Sequence, residues 1–191
     1  MVDLPATAAW RHVDASDGFE VLFLRRELDG YHFEGHSTVV EEGQASSISY
    51  TLTLDARWAT RSAHVVGRST QGAFELHLEG DGLGGWQADG RPAPQVAGCL
   101  DVDLEASAFT NAFPIHRLGL EVGRQADAPA VYVRALDLRV ERLEQRYARL
   151  PDDGEQRRYD YESPAFGYRG ELVYDRFGLV LDYPGIAVRV I

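Results

Sequence analysis

The sequence holds one cysteine, Cys99, in 191 residues, so no internal disulfide can form, and this fits a reducing compartment. It holds no apolar run of about eighteen residues, and no basic, apolar and cleavage-site succession near Met1. Neither stable membrane insertion nor export is expected, and the expected location is the cytoplasm. Basic charge is scarce as well: 19 Lys and Arg stand against 30 Asp and Glu, a formal net charge of −11. Such a field repels polyanions, so nucleic acid is not an expected partner. Arg142, Arg146, Arg149, Arg157 and Arg158 do concentrate in one region, but Glu141, Glu144, Asp152, Asp153 and Glu155 interleave with them and make a mixed, solvated face. Catalytic signatures are missing too. There is no HExxH, Walker sequence, nucleophile elbow or GxGxxG; the glycines of DGLGGW at 81–86 lack a phosphate-loop lysine and read as a hairpin. The six histidines show no close pairing along the chain beyond His32 and His36, and neither a metal nor a cofactor is expected.

What the chain does contain is alternation. Ile48, Tyr50, Leu52 and Leu54 interleave with Ser47, Ser49, Thr51 and Thr53, the pattern of a strand with one buried and one polar face. Phe19 to Arg25 and Tyr31 to Val40 flank an Asp29-Gly30 turn; Ser62 to Gly67, Ala73 to Glu79 and Gly84 to Gln87 continue the meander, with turns at Asp81-Gly82 and Asp89-Gly90. Residues 1–18 read as an irregular start. Downstream, strands are expected at Cys99–Leu104, from Ile115 to Val122 and over Ala130–Val140; Val140 to Leu150 reads as a continued strand, with a short amphipathic helix as the alternative; a polar loop follows at 151–158, then four short strands reach the C-terminus. The segment Tyr50-x-x-x-Leu54-Asp55-x-Arg57 echoes Tyr132-x-x-x-Leu136-Asp137-x-Arg139, and Asp81-x-Leu83-Gly84 loosely echoes Asp175-x-Phe177-Gly178, as two similar antiparallel halves would. The expected fold is all-β: a predominantly antiparallel curved sheet or incomplete barrel with one or two short helices, residues 1–191 forming one domain.

The stretch Gly98 to Leu118 concentrates the candidate chemistry. Period 2 puts Cys99, Asp101 and Asp103 on one face of a strand and Leu100, Val102 and Leu104 on the other. Two residues along a strand span about seven ångströms, too far for a compact metal shell without ligands from another strand. An ionised carboxylate buried alone costs several kcal/mol, so on an interior strand Arg117 or Arg61 is expected to neutralise at least one of Asp101 and Asp103. The planar forks of these arginines also suit a phosphate or sulfate head group. Asn111 is expected to tie the FTNAFP turn through its amide. Trp58, Trp86 and Tyr183, among other aromatics, are material for a sugar- or lipid-facing surface. Cys99 has no cysteine-enzyme signature around it and reads as an inert thiol.

GCLDVDL, FTNAFPIHRL and GLVLDYPG at 178–185, in that order, resemble the bacterial family named "putative glycolipid-binding". Asp55-x-x-Trp58-x-x-Arg61, DGLGGW and Gln145-Arg146-Tyr147 extend the resemblance, which runs from Trp10 to the C-terminus. His116 stands where the family pattern carries a more strongly basic residue, and Ala106 to Ala108 are less polar than in that pattern. The resemblance implies a curved, incompletely closed barrel similar to bacterial lipoprotein carriers, and noncovalent binding of a glycolipid or other amphiphile in a concave apolar and aromatic pocket. The residues expected at that site are Trp58, Arg61, Trp86, Asp101, Asp103, Asn111, Arg117 and Tyr183. The alternative is an enzyme acting on a small amphiphile, with Asp101 and Asp103 as acid and base.

Overall fold

The structure, a computed structural model, describes residues 4–191, so the first three residues of the expected domain lie outside the description. Two sheets carry the chain. The irregular start is instead a strand, β1 (Thr7–His12), whose Trp10 is fully buried and donates its indole N–H to the Val180 carbonyl at 2.8 Å. The meander follows as β2 (Asp17–Glu27), β3 (Gly30–Glu41), β4 (Gln44–Asp55), β5 (Thr60–Ser69), β6 (Gly72–Gly80), β7 (Trp86–Ala88) and β8 (Arg91–Pro92). In β4 the alternation holds residue by residue: Ile48, Tyr50, Leu52 and Leu54 are buried. Two hairpins turn on adjacent positive-φ pairs, Glu42-Gly43 and Asp89-Gly90, the two-residue geometry that matches strand twist.

The next strand, β9 (Asp101–Leu104), leaves this sheet, and a 3-10 turn at Phe109–Asn111 leads into α1 (Ala112–Leu118). A strand from Ile115 to Val122 was the expectation; a helix is found. Pro114 falls in its first turn, where the missing N–H has no intrahelical acceptor to lose, and Gly119 ends it with φ of 54°. The expected long strand Ala130–Val140 is also corrected. After β10 (Gln125–Asp127) and β11 (Ala130–Val133), a tight turn closed by the Arg134 N–H on the Arg139 carbonyl separates β11 from β12 (Val140–Leu143). The Val140–Leu150 segment then changes sheet between β12 and β13 (Arg146–Arg149). The chain closes with β14 (Arg157–Ser163), β15 (Tyr168–Tyr174), β16 (Val180–Tyr183) and β17 (Ala187–Arg189).

Fourteen of these strands make one sheet in the order β10-β13-β14-β15-β16-β17-β1-β2-β3-β4-β5-β6-β7-β8, with neighbours antiparallel, and it does not close into a barrel. Its edges are blunted by the three-residue β10 and by Pro92 in β8. The remaining three form an inner sheet, β12-β11-β9, in which β9 and β11 run parallel. Every residue of β9 and β11 is buried, because this sheet lies against the apolar face of the large one. Phe33, Phe109 and Phe113 join the two layers, with ring centroids 4.8 Å apart for the first pair and 5.1 Å for Phe109 and Phe113. The internal echo corresponds to a shared turn. Asp55, Asp81 and Asp175 each accept backbone N–H groups from the residues two and four positions on, and Asp137 accepts the first of these.

Candidate functional site

Because β9 is covered on both sides, each of its aspartates must find a partner among the elements packed on it. Asp101 meets Arg117, carried one turn beyond Pro114 on α1: the guanidinium donates from Nε at 2.8 Å and Nη2 at 2.5 Å to the two carboxylate oxygens. Burial pushes the Asp101 carboxyl up, and the guanidinium opposes that shift. Asp103, two residues on, is 7% exposed, and among the described residues it receives one hydrogen bond, from the Thr110 hydroxyl at 2.9 Å. Burial pushes Asp103 up to about 7; the hydroxyl opposes this, while the charges of Asp101 and Glu105 add to it. A carboxyl poised there presents either an acceptor-only anion or a donor, depending on what approaches.

Asp103 lines a cavity of about 710 Å³ between the inner sheet and the large sheet. Ser107, Asn111, Tyr161 and Ser163 contribute buried polar groups to its walls, and exposed Glu41, Glu42, Gln44 and Gln71 border it near the hairpin tips. One wall is aromatic. Tyr183 meets Tyr161 and Tyr168 edge-on, with centroids 5.8 and 5.4 Å apart, and burial pushes the phenols of Tyr161 and Tyr183 up, keeping them protonated donors. Arg134, which also lines the cavity, sits over the rings of Tyr132 and Phe166 and pairs with Glu105 at 2.7 Å. Glu105 also accepts the Ala135 N–H at 2.7 Å, which sets the β11–β12 turn beside the cavity.

Of the eight residues singled out from the sequence, Asp103, Asn111 and Tyr183 line this cavity; Trp58, Arg61, Trp86, Asp101 and Arg117 do not. Trp86 donates its indole N–H to the Cys99 carbonyl at 2.8 Å, and Arg61 lies 3.8 Å from Asp55 near the surface. Trp58 sits at φ of 67°, where the equivalent turns after Asp81 and Asp175 place Gly84 and Gly178; its ring stacks on His116 at 3.6 Å. Gly178 also packs close against the His116 ring, and burial pushes its imidazole down to about 4. Asn111 does not tie its own turn: its side-chain oxygen accepts the Tyr147 hydroxyl at 2.9 Å. Cys99 is buried, and that burial pushes its thiol up to about 11.

The turn before α1 is tied instead by Glu20, fully buried on β2. Its carboxylate accepts the Tyr50 hydroxyl at 2.6 Å, the Ser107 hydroxyl, and the backbone N–H groups of Ala108 at 2.8 Å and Phe109 at 3.3 Å. Sequence reasoning passed over it, yet a signal was present: Glu20, Leu22 and Leu24 share one period-2 face, so a carboxylate sits in an apolar stripe.

The model of the family described as "Putative glycolipid-binding" matches residues 7–189. Among solved structures, a DUF1089 family protein from Pseudomonas aeruginosa is similar at 38% identity and a TM-score of 0.76, over 90% of this chain and 92% of that one. A beta-barrel-like protein of the domain of unknown function DUF1849 from Brucella abortus is similar in fold, at 14% identity and a TM-score of 0.53, over 99% of this chain and 96% of that one. No curated protein matches the sequence. With its family model spanning nearly the whole chain, the protein belongs to the "Putative glycolipid-binding" family.

Proposed function

We propose that the protein binds, without covalent chemistry, the hydroxylated head group of a glycolipid or a similar amphiphile in the cavity that Asp103 lines. The observation that carries this reading is a buried carboxyl held by a single hydroxyl at the wall of a cavity of about 710 Å³, a size that accommodates one small ligand. A sugar hydroxyl donates well to such a carboxylate, and the faces and edges of Tyr161, Tyr168 and Tyr183 suit the C–H surface of a ring or the start of an acyl chain. Trp10, Phe33 and Leu52 fill the inner face of the large sheet around β1, β3 and β4, so this reading places the ligand against the part of that face that Tyr161, Tyr168 and Tyr183 form. Paired acid–base catalysis by Asp101 and Asp103 finds no support, since Asp101 is engaged by Arg117 and lies outside the cavity lining. The reading places the protein in the cytoplasm on its single, buried thiol.

Native mass spectrometry of the protein purified from its own host tests the reading, together with titration of n-octyl glucoside as a defined probe. A bound mass in the lipid range, lost in Asp103→Asn and in a Tyr183→Ala variant that still folds, is the expected result. Ligand-free protein with no probe binding, or probe binding that both variants retain, overturns it.

A further inference from the structure

The face of the large sheet that points away from the core carries four of the six histidines, His32, His36, His64 and His77. Two of them converge. His64 on β5 and His77 on β6 are direct cross-strand partners, while Glu75 is two residues before His77 on the same face. Opposed positions on neighbouring antiparallel strands bring side chains within reach, and Glu75 leans along its strand into the gap. Its Oε1 lies 2.8 Å from His64 Nε2 and 3.3 Å from His77 Nε2, the two imidazoles stack with centroids 4.2 Å apart, and the three donor atoms all fall within 4.8 Å of one another.

From this geometry we infer a divalent transition-metal site formed by His64, Glu75 and His77, suited to Zn²⁺ or a neighbouring late first-row cation. The donor set is two imidazoles and one carboxylate, a combination that binds these cations and leaves a fourth position open to water or another ligand. A four-coordinate zinc ion with bonds of about 2.0–2.1 Å holds its donors roughly 3.3 Å apart, close to the 2.8 and 3.3 Å that separate Glu75 from the two imidazoles, with all three donors within 4.8 Å of one another. What must change is ring orientation. The imidazole planes lie 8° apart, so each has to turn about its Cβ–Cγ bond to aim Nε2 at a shared ion. That torsion is broad and soft, and both rings are about half exposed, so neighbouring atoms do not block the turn. Hydrogen bonding now draws both Nε2 atoms toward one carboxylate oxygen; metal binding replaces that proton-mediated contact and moves the remaining ring proton to Nδ1. The main alternative donors on this face, His32 with Glu34 and His36 with Ser49, offer one imidazole each and make a weaker set.

Isothermal titration of zinc chloride into chelator-treated protein at pH 7.5, beside His64→Ala, His77→Ala and the double variant, tests the site. One equivalent is expected to bind, with affinity falling at least tenfold in each single variant and further in the pair. Co²⁺ should show visible absorption of a four-coordinate ion that the double variant lacks. Because Glu75 and His77 are exposed and His64 is about half exposed, unchanged melting temperatures separate lost binding from lost fold. Absence of binding at millimolar zinc, affinity retained in the double variant, or a loss confined to one histidine overturns the assignment.

Discussion

Replacing Asp103 by Asn should make the protein more stable at alkaline pH, and the size of the gain follows from the site. The folded carboxyl titrates near 7, against 3.8 for the unperturbed group. Its native pKa is raised, so between these values the folded state holds a proton that the unfolded state has released. The contribution of Asp103 is therefore most favourable below pH 3.8, weakens as pH rises, and reaches its full cost above pH 7. Three pH units at about 1.4 kcal/mol each give roughly 4 kcal/mol, and solvation of the carboxylate by water in the cavity reduces this to about 2–4 kcal/mol. Asparagine keeps the acceptor that Thr110 uses and carries no charge. Urea unfolding of wild type and Asp103→Asn from pH 4 to pH 8.5 should show the variant gaining on wild type by about 2–4 kcal/mol across that range, with other titrating groups cancelling in the comparison. A difference flat to within about 0.5 kcal/mol would refute the buried, weakly partnered carboxyl, and so would a variant less stable than wild type at pH 8.5. A group that costs stability yet faces a cavity is the kind that function retains.

Glu20→Ala leaves the Tyr50 and Ser107 hydroxyls and two backbone N–H groups without their acceptor, so denaturant unfolding should show a loss of about 3–5 kcal/mol, with Glu20→Gln losing less because its amide oxygen still accepts. Gly178→Ala sets a Cβ 2.6 Å from His116 Nε2 at a φ of 76°, and should cost about 1–3 kcal/mol. Adding His116→Ala removes the collision but not the backbone strain; a melting temperature of the double variant no higher than that expected from summed single effects would show the clash to be absent.

Much of the scaffold was legible from local pattern. Period-2 alternation located β2 to β6, Asp-Gly pairs located turns, and the cost of an unpaired buried charge called for an arginine at β9, which Arg117 supplies to Asp101. Alternation and turns depend on residues one to four apart, where sterics and solvent decide, while the need for a cation follows from burial of the carboxylate, and its donor lies sixteen positions on. Tertiary structure decided the rest. Gln145 could sit in the middle of one continuous strand by pattern, but its buried side chain accepts the Tyr161 hydroxyl at 2.9 Å, and the chain changes sheet there. Pro114 permitted either a new strand or a first helical turn, and burial of Phe113 and Ile115 against the core selected the helix. Parallel pairing of β9 with β11 put Tyr132 beside Asp103, while hairpin register brought His64 to His77 across thirteen positions of chain. Periodicity tells which face of a strand leaves water; what that face then meets is set by pairing between distant segments, and that alone separated Asp103, which lines a cavity, from Asp101, which is closed by an arginine.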